Sequence, residues 1–365
     1  MHYVSLIYQR DGSYSLPHPW LQRVRPYGGV LEALALHSKV THVAQINYEG
    51  ELIENGVNYH FVSCSDEQEL FPYKLHRFIK SLKPDVVLVH SFNHPLQVVQ
   101  LRLVLPNQVK IIVQNHAEKP AVGMRKVLQR LADKWVDAYL FASTTMGLDW
   151  VAKGNIASPK KIHEVMELSS VFYQTDKQIA RAKTGVDADM VYLWVGRLDA
   201  NKDPLTVVKA FIKFAEVNTK ACLYMLYHTE ELLTEIKKLL RESPNPDAVK
   251  LIGKLPHDDM QYWFNSADFF VAASYYEGSG TALCEALSCG CVPIVSDIPS
   301  FIMITDSGKI GLLFSPGKED ELLLCLNKSQ ELDLNAQREN ALAYFKSNLS
   351  FEAIAQKIHA VASSL

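Results

Sequence analysis

Residues 268–299 read Asp268-Phe-Phe-Val-Ala-Ala-Ser-Tyr-Tyr-Glu-Gly-Ser-Gly-Thr-Ala-Leu-Cys-Glu-Ala-Leu-Ser-Cys-Gly-Cys-Val-Pro-Ile-Val-Ser-Asp-Ile-Pro299. The apolar run at the start does not alternate with polar residues, which predicts a strand covered on both faces. Glu277 to Gly280 then break the pattern. Thr281–Ser288 can form a helix of about two turns that ends at a glycine, and Val292–Ser296 starts another strand. The stretch therefore predicts a strand–turn–helix–strand unit of an α/β protein.

Two carboxylates flank this predicted turn, Glu277 on the turn itself and Glu285 inside the helix. Glycines in a turn allow a ligand to approach backbone amides, and the start of a helix attracts an anion. A carboxylate on each side of that anion could bind hydroxyl groups. The pattern suits a nucleotide sugar, with the diphosphate at the helix start, the ribose on one acid and the sugar on the other.

Composition narrows the class of protein. A chain of 365 residues is too long for one ordinary core and predicts two domains. The formal net charge of −3 argues against a nucleic-acid-binding face. The first residues lack the features of a signal peptide, and no apolar run reaches membrane-spanning length, so we expect a cytoplasmic protein. The cysteines show no metal-ligand spacing and are predicted to be reduced core residues: Cys64, Cys222, Cys284, Cys289, Cys291 and Cys325.

Strands and helices alternate on both sides of residues 174–190, which hold few large apolar residues and form the predicted linker. Such alternation predicts parallel, doubly wound sheets that bind ligands at the carboxyl ends of their strands. The predicted fold class is therefore α/β, with two Rossmann-like domains facing a cleft. The first domain covers residues 1–175 and the second residues 176–345.

Candidate binding residues of the first domain lie at predicted loop positions. The pair Gly28-Gly29 precedes a predicted helix at Val30–His37, where it either holds a phosphate or makes the turn. His90 and His116 follow predicted strands. They are expected at the carboxyl edge of the first sheet.

A cationic loop precedes another predicted helix of the second domain, in the sequence Trp194-Val-Gly-Arg-Leu-Asp-Ala-Asn-Lys-Asp-Pro204. Asp203 can cap that helix, and Pro204 suits its first position. Arg197 and Lys202 then flank the turn where a phosphate would lie. Taken alone they could be solvated loop charges, but together with the turn at Glu277 they favour a nucleotide site.

A nicotinamide-binding alternative starts from Gly278-Ser279-Gly280, which follows a strand as a dinucleotide fingerprint does, with Asp297 ending the next strand. However, Leu283 occupies the place of the third glycine, and the motif lies late in the second domain. Glu285 also has no role in such a site. These departures make the alternative weaker than a sugar-donor site.

The two motifs together resemble those of the retaining glycosyltransferases of family four, the glycosyl transferases group 1. The resemblance rests on Gly196-Arg197-Leu198 with Lys202-Asp203-Pro204, then on Glu277-Gly-Ser-Gly and Glu285-Ala-Leu-Ser-Cys-Gly. Leu251-Ile-Gly-Lys254 resembles the strand and loop near the nucleobase. The similarity is dense over residues 191–327 and thin before them. It implies a GT-B fold that closes on a nucleotide-sugar donor, with the terminal helix at 346–365 crossing back to the first domain.

The resemblance also implies roles for individual residues. Arg197 and Lys202 would hold the diphosphate and stabilise the leaving group by their positive charge, which needs no metal. No cofactor is expected, since the nucleotide sugar is itself a substrate. Glu277 would face the donor sugar, and His116 would lie near its primary hydroxyl or the acceptor. The implied catalytic residues are Glu277, Arg197, Lys202 and His116. The expected donor-binding residues are Gly28, Gly29, Gly196, Lys254, Leu255, Gly278, Ser279, Gly280, Thr281, Ala282 and Glu285.

Some residues depart from the family pattern. Ser279 stands where a phenylalanine is frequent, so the sugar pocket is expected to be more polar or roomier. Glu167-Leu-Ser-Ser170 replaces the usual Asn-Gly-Val-Asp, which leaves the hinge contacts open. The expected activity is transfer of a hexosyl unit to a glycan, lipid-linked or small-molecule hydroxyl, in surface polysaccharide or glycoconjugate synthesis. The alternatives are a sugar-nucleotide epimerase of the same fold and a catalytically idle glycan- or nucleotide-binding module.

A basic helix is predicted near residues 125–134 of the first domain. It carries Arg125, Lys126, Arg130 and Lys134. In glycosyltransferases of this shape such a helix can contact anionic lipid at the inner face of the membrane, although a solvated face is the alternative. The sequence identifies neither the base, sugar and acceptor nor the oligomeric state.

Overall fold

The computed structural model describes residues 1–63, 70–116 and 118–365. These residues form two compact units. Unit 1 contains Met1–Ser169 and Ser350–Leu365, and unit 2 contains Ser170–Leu349. Each unit is built around its own largely parallel sheet, so the predicted pair of Rossmann-like domains is confirmed.

The sheet of unit 1 has eight strands in the order β3-β4-β2-β1-β5-β6-β7-β8. All neighbours are parallel except the edge pair β3 and β4. Helices cover both faces, which explains why the central strands are apolar without alternation. The strands are β1 (His2–Asp11), β2 (Lys39–Ile46), β3 (Gly50–Glu54), β4 (Val57–Ser63), β5 (Val86–His90), β6 (Lys110–Gln114), β7 (Ala138–Phe141) and β8 (Ile162–Glu164). The first five helices are α1 (Pro17–Ala35), α2 (Tyr73–Ser81), α3 (Pro95–Val104), α4 (Gly123–Asp133) and α5 (Thr144–Ala152).

The sheet of unit 2 is parallel throughout, in the order β11-β10-β9-β12-β13-β14. Its strands are β9 (Met190–Gly196), β10 (Ala221–Tyr227), β11 (Val249–Gly253), β12 (Phe269–Ala272), β13 (Val292–Ser296) and β14 (Leu312–Phe314). The strand order reverses between β9 and β12, and ligands of open α/β sheets bind at such a switch point. The helices are α6 (Lys177–Thr184), α7 (Pro204–Val217), α8 (Leu233–Glu242), α9 (His257–Ser266), α10 (Thr281–Ser288), α11 (Pro299–Ile304), α12 (Glu319–Ser329), α13 (Leu334–Tyr344) and α14 (Phe351–Ser364), the last of which belongs to unit 1.

The expected helix start after Gly28-Gly29 is wrong. Helix α1 begins at Pro17, because prolines suit the first turn of a helix, and the glycine pair lies inside it. Gly29 serves the packing of α14: a side chain there would place its Cβ 2.6 Å from the ring of Phe351. The pair therefore makes no turn and opens no phosphate-binding helix.

The predicted linker at residues 174–190 is also wrong, because it contains α6 of unit 2. Asp176 caps this helix by accepting from the amide of Ile179 at 2.9 Å. The Lys177 ammonium and the Arg181 guanidinium both pair with the buried carboxylate of Asp268. Ion pairs thus anchor a helix that buries little apolar surface. The apolar pattern of the sequence therefore does not indicate this helix. The two units meet in sequence at Ser169 and Ser170.

Two further features bear on function. Within the described residues, no helix combines the length and the apolar character needed to span a bilayer. The described cysteines are free and buried, as the sequence predicts, and Cys64 lies outside the described residues.

Candidate functional site

The switch point of unit 2 opens into a cavity of about 450 Å³. The ends of β9, β10 and β11 form one side, and the start of α10 forms another. Twelve predicted site residues belong to unit 2, and ten of them line the cavity: Gly196, Arg197, Lys202, Lys254, Leu255, Glu277, Gly280, Thr281, Ala282 and Glu285. The remaining predicted residues of unit 2, Gly278 and Ser279, lie on the turn before α10 and are not among the described residues that line it.

The loop between β9 and α7 presents the two predicted cations. Asp203 adopts a left-handed conformation (φ 44°) and caps α7 by accepting from the amide of Thr206 at 3.3 Å. Asp199 accepts from the Lys202 amide at 3.0 Å and lies 3.1 Å from the Arg197 Nε. The loop is thus held by its own carboxylates. Both long cationic side chains reach the cavity from this fixed backbone.

Lys202 and Glu277 meet directly, although 75 residues separate them. The Lys202 Nζ contacts Glu277 Oε1, and the Ser274 hydroxyl donates to the same oxygen at 2.6 Å. Both ionic side chains are largely buried, with exposed fractions of 22% and 15%. A ligand phosphate would compete with this carboxylate for Lys202, so the pair can open when an anion enters.

The start of α10 offers backbone amides to the same cavity. The first N–H groups of a helix lack intrahelical acceptors, and no side chain caps this helix. Gly280 precedes it in a left-handed conformation (φ 57°), and a Cβ there would lie 2.9 Å from Ile304 and 3.0 Å from Phe301. Only glycine fits this position without displacing those side chains. The arrangement can bind an anion beside Lys202.

Glu285 lies inside α10 and is almost fully buried. Burial raises the pKa of Glu285, while the nearby His257 opposes the rise. His257 Nε2 lies 3.3 Å from Glu285 Oε1, and its ring packs on Phe172 at 4.8 Å between centroids. His257 is a cavity residue that the sequence did not indicate, since it begins α9 and meets Glu285 only in the folded unit.

Unit 1 contains a separate cavity of about 320 Å³ at the carboxyl ends of β1 and β5. Gly28 lines it, whereas Gly29 is not among its described lining residues. Aromatic and imidazole rings dominate its wall: Trp20, Tyr27, Tyr59, His42, His90 and His116. No cluster of three or more potential metal-ligating side chains occurs in the part of the chain that the structure describes.

His116 has both ring nitrogens engaged by neighbours in unit 1. Its Nδ1 contacts the buried carboxylate of Glu167, and its Nε2 lies 2.8 Å from His90 Nδ1. Burial would lower the pKa of His116, but Glu167 and Glu118 together raise it above the ordinary value. The pKa of His90 is instead held well below its ordinary value by burial and by the rings of His116 and His42. Glu167, a departure from the family pattern, thus supports His116.

Comparisons with known proteins agree with this geometry. The sequence profile described as "Glycosyl transferases group 1" matches residues 176–341. An N-acetylgalactosamine-N,N'-diacetylbacillosaminyl-diphospho-undecaprenol 4-alpha-N-acetylgalactosaminyltransferase of Campylobacter jejuni is 24% identical over 327 residues, which cover 81% of this chain and 85% of the relative. A GDP-mannose:cellobiosyl-diphosphopolyprenol alpha-mannosyltransferase of Xanthomonas campestris is 32% identical over 117 residues, 30% of each chain.

Among solved structures, HepE of Anabaena in complex with UDP matches with a TM-score of 0.75 at 13% identity, over the whole of both chains. This likeness supports the GT-B fold. The family profile covers the unit that holds Arg197, Lys202, Glu277 and Glu285. Residues 176–341 thus match the glycosyl transferases group 1, and the chain is a glycosyltransferase of the GT-B fold.

Proposed function

We propose that the unit 2 cavity binds a nucleoside diphosphate sugar and that the enzyme transfers its hexosyl unit to a hydroxyl acceptor with retention of anomeric configuration. The observation that carries the proposal is the meeting of Lys202 and Glu277 beside the uncapped start of α10. Arg197 and Glu285 line the same cavity. The cations and the helix amides at one end of the cavity suit a diphosphate, and the buried carboxylate of Glu285 at the other end suits the hydroxyls of the ribose joined to it.

In the proposed reaction, the bond between the anomeric carbon and the phosphate oxygen breaks, and its electron pair stays on the diphosphate. Lys202, Arg197 and the first amides of α10 stabilise that growing negative charge. The acceptor oxygen forms the new bond on the face that the diphosphate leaves, and the acceptor proton passes to a diphosphate oxygen. All of these steps use groups of the chain and of its two substrates.

Donor binding is expected to rearrange the Lys202–Glu277 pair. The diphosphate takes Lys202, which frees the Glu277 carboxylate to accept hydrogen bonds from sugar hydroxyls while Ser274 holds its position. Glu285 would accept from the ribose hydroxyls. Lys254 and Leu255 lie at the end of β11, where the base would be placed.

For the acceptor, we propose a lipid-linked glycan in surface polysaccharide synthesis. The support comes from the names of the two relatives, which act on diphospho-undecaprenol and diphosphopolyprenol substrates. His116 would contribute the charge of its imidazolium rather than a free nitrogen, because both ring nitrogens already have partners.

A panel of nucleotide sugars and nucleoside diphosphates, screened by thermal unfolding, tests the donor proposal. A correct ligand at about 100 times its Kd stabilises the protein by about 2.7 kcal/mol, which corresponds to a rise in Tm of about 5 °C. Glu285→Gln should reduce this rise. Glu235→Gln, on the exposed face of α8, is the matched control and should leave it unchanged. A panel without any stabilising nucleotide would contradict the proposal.

We also propose that α4 of unit 1 brings the enzyme to an anionic membrane. Met124, Val127 and Leu131 repeat at helical spacing and form one exposed stripe, with exposed fractions of 76%, 61% and 44%. Lys126, Arg130 and Lys134, each four residues apart, form a second stripe beside it. An exposed apolar stripe next to a basic one fits a lipid interface, where the apolar side chains enter and the cations meet anionic headgroups.

Flotation with vesicles tests this surface. The wild-type protein should float with phosphatidylglycerol-containing vesicles and much less with neutral ones. Each basic residue contributes about 1 kcal/mol near an anionic surface, so Arg130→Glu with Lys134→Glu should weaken binding at least about tenfold. The matched control is Lys237→Glu with Lys238→Glu on exposed positions of α8. Equal flotation of all three proteins would contradict the proposal.

A further inference from the structure

A buried chain of hydrogen bonds extends from His116 into the centre of the unit 1 sheet. His90 Nε2 lies 2.8 Å from the Ser5 hydroxyl, and the same hydroxyl lies 2.8 Å from His42 Nδ1. The three residues stand on adjacent strands, β5, β1 and β2, with Ser5 and His42 directly paired in register. Beyond His42 the chain stops, because His42 Nε2 is buried and has no hydrogen-bond partner among the described residues.

The state of His116 fixes the direction of every bond in this chain. When His116 is an imidazolium, its Nε2–H donates to His90 Nδ1, so His90 carries its proton on Nε2 and donates to Ser5. Ser5 then donates to His42, which must carry its proton on Nε2. When the system releases one proton to solvent and His116 keeps Nδ1–H on Glu167, all of these bonds reverse. His90 then carries its proton on Nδ1 and donates to His116, Ser5 donates to His90, and His42 carries its proton on Nδ1 and donates to Ser5.

The surroundings place the charge on His116 and keep it off the other rings. His116 faces the carboxylates of Glu167 and Glu118, and its ring lies 5.5 Å from that of Tyr27. Burial raises the pKa of Tyr27, and the positive charge of Arg23 partly opposes that rise.

His42 has aromatic neighbours instead of charges. It stacks on Trp20 at 5.6 Å and meets Tyr59 edge-on at 5.7 Å. Burial lowers the pKa of His42 to about 3. The rings of His42 and His90 therefore stay neutral in both states of the chain.

We propose that Ser5, His42 and His90 are positioning residues for His116, forming a relay in which one ionisation at His116 switches the tautomers of His90 and His42. The relay holds the His116 ring in place and lets its charge change without leaving a charge on a buried ring. Its relevance to transfer rests on the proposed function, in which a ligand of the unit 1 cavity meets the charge of His116. The hydrogen-bond relay itself does not depend on that function.

Selective ¹⁵N labelling of the histidines, followed by NMR during a pH titration, tests the relay. Assignment uses His116→Gln and His42→Phe. In the wild-type protein, the ring ¹⁵N shifts should show that Nδ1 and Nε2 of His90 and of His42 swap their protonated and unprotonated states. This change should have the same pH midpoint as the titration of His116. Neither ring should show the shifts of an imidazolium.

Ser5→Ala should break the relay, so that His42 no longer responds at the His116 midpoint, and Ser5→Thr should restore the response. Thr41→Val removes another buried hydroxyl of the same sheet, which bonds His2 at 3.0 Å, and should leave the coupling intact. If Ser5→Ala unfolds, the wild-type titration and Thr41→Val remain decisive. A His42 tautomer that stays constant through the His116 titration in the wild type overturns the proposal, whether or not the protein transfers sugar.

Discussion

Replacing Lys202 by alanine is expected to lower kcat/KM for sugar transfer by about 10²- to 10³-fold. In the proposed reaction the ammonium lies where the diphosphate gains negative charge, and the loss of one such fixed group costs a factor of this size. Nucleoside diphosphate binding should weaken as well, because the charge is present in the ground state. Arg197→Ala should act in the same direction. Its side chain is half exposed, with an exposed fraction of 52%, so the effect should be smaller.

The matched control for Lys202 is Lys213→Ala on α7. Lys213 also pairs with a carboxylate, Glu319, at 2.6 Å, but neither residue lines the described cavity. Steady-state kinetics should show a large loss of kcat/KM for Lys202→Ala, a smaller loss for Arg197→Ala and no loss for Lys213→Ala. A wild-type rate of transfer in Lys202→Ala, with an unchanged Tm, would contradict the proposed role of Lys202 in stabilising the diphosphate.

Replacing Glu277 by glutamine is expected to lower transfer by about 10²-fold or more while nucleoside diphosphate binding is kept or becomes tighter. The amide keeps the shape and the hydrogen bond from Ser274, but it loses the charge that holds Lys202. Lys202 is then free to meet the phosphate without breaking an ion pair. The sugar loses its charged acceptor, so catalysis falls.

The two substitutions therefore have opposite expected effects on diphosphate affinity, which calorimetry measures directly. Lys202→Ala weakens binding, and Glu277→Gln does not. Glu319→Gln, at the partner of Lys213, serves as the control for loss of a carboxylate in an ion pair. A parallel loss of affinity in both variants would show that the pair acts only as a structural bridge.

Much of unit 2 could be predicted from the sequence because local signals agree there. Asp203 and Pro204 start α7, Gly290 follows α10, and continuous apolar runs form the strands. In unit 1 local signals compete. Helix α1 begins at prolines 13 residues before the expected start at Val30. The Asn55-Gly56 turn joins β3 and β4, and both of its residues have positive φ. Asn-Gly is a typical hairpin turn, so the β3–β4 hairpin could have been predicted from the sequence.

The polar contacts of the site could be predicted only in part. The sequence placed Lys202 and Glu277 near one anion, but it gave no reason to expect them in contact. Glu167 contacts His116 across 51 positions because β6 and β8, with only β7 between them, end at the same edge of the sheet. Predicting that contact requires knowledge of the strand order. The same holds for His257 and Glu285. Such pairs are long-range consequences of topology and have no local pattern.

The most direct test of the account is a crystal structure of the enzyme with the nucleoside diphosphate that the thermal panel selects. We expect phosphate oxygens within hydrogen-bond distance of Lys202 Nζ and of the first amides of α10, the ribose hydroxyls on Glu285, and Lys202 separated from Glu277. A nucleotide bound outside the unit 2 cavity, or bound inside it with the Lys202–Glu277 pair intact, would contradict the account.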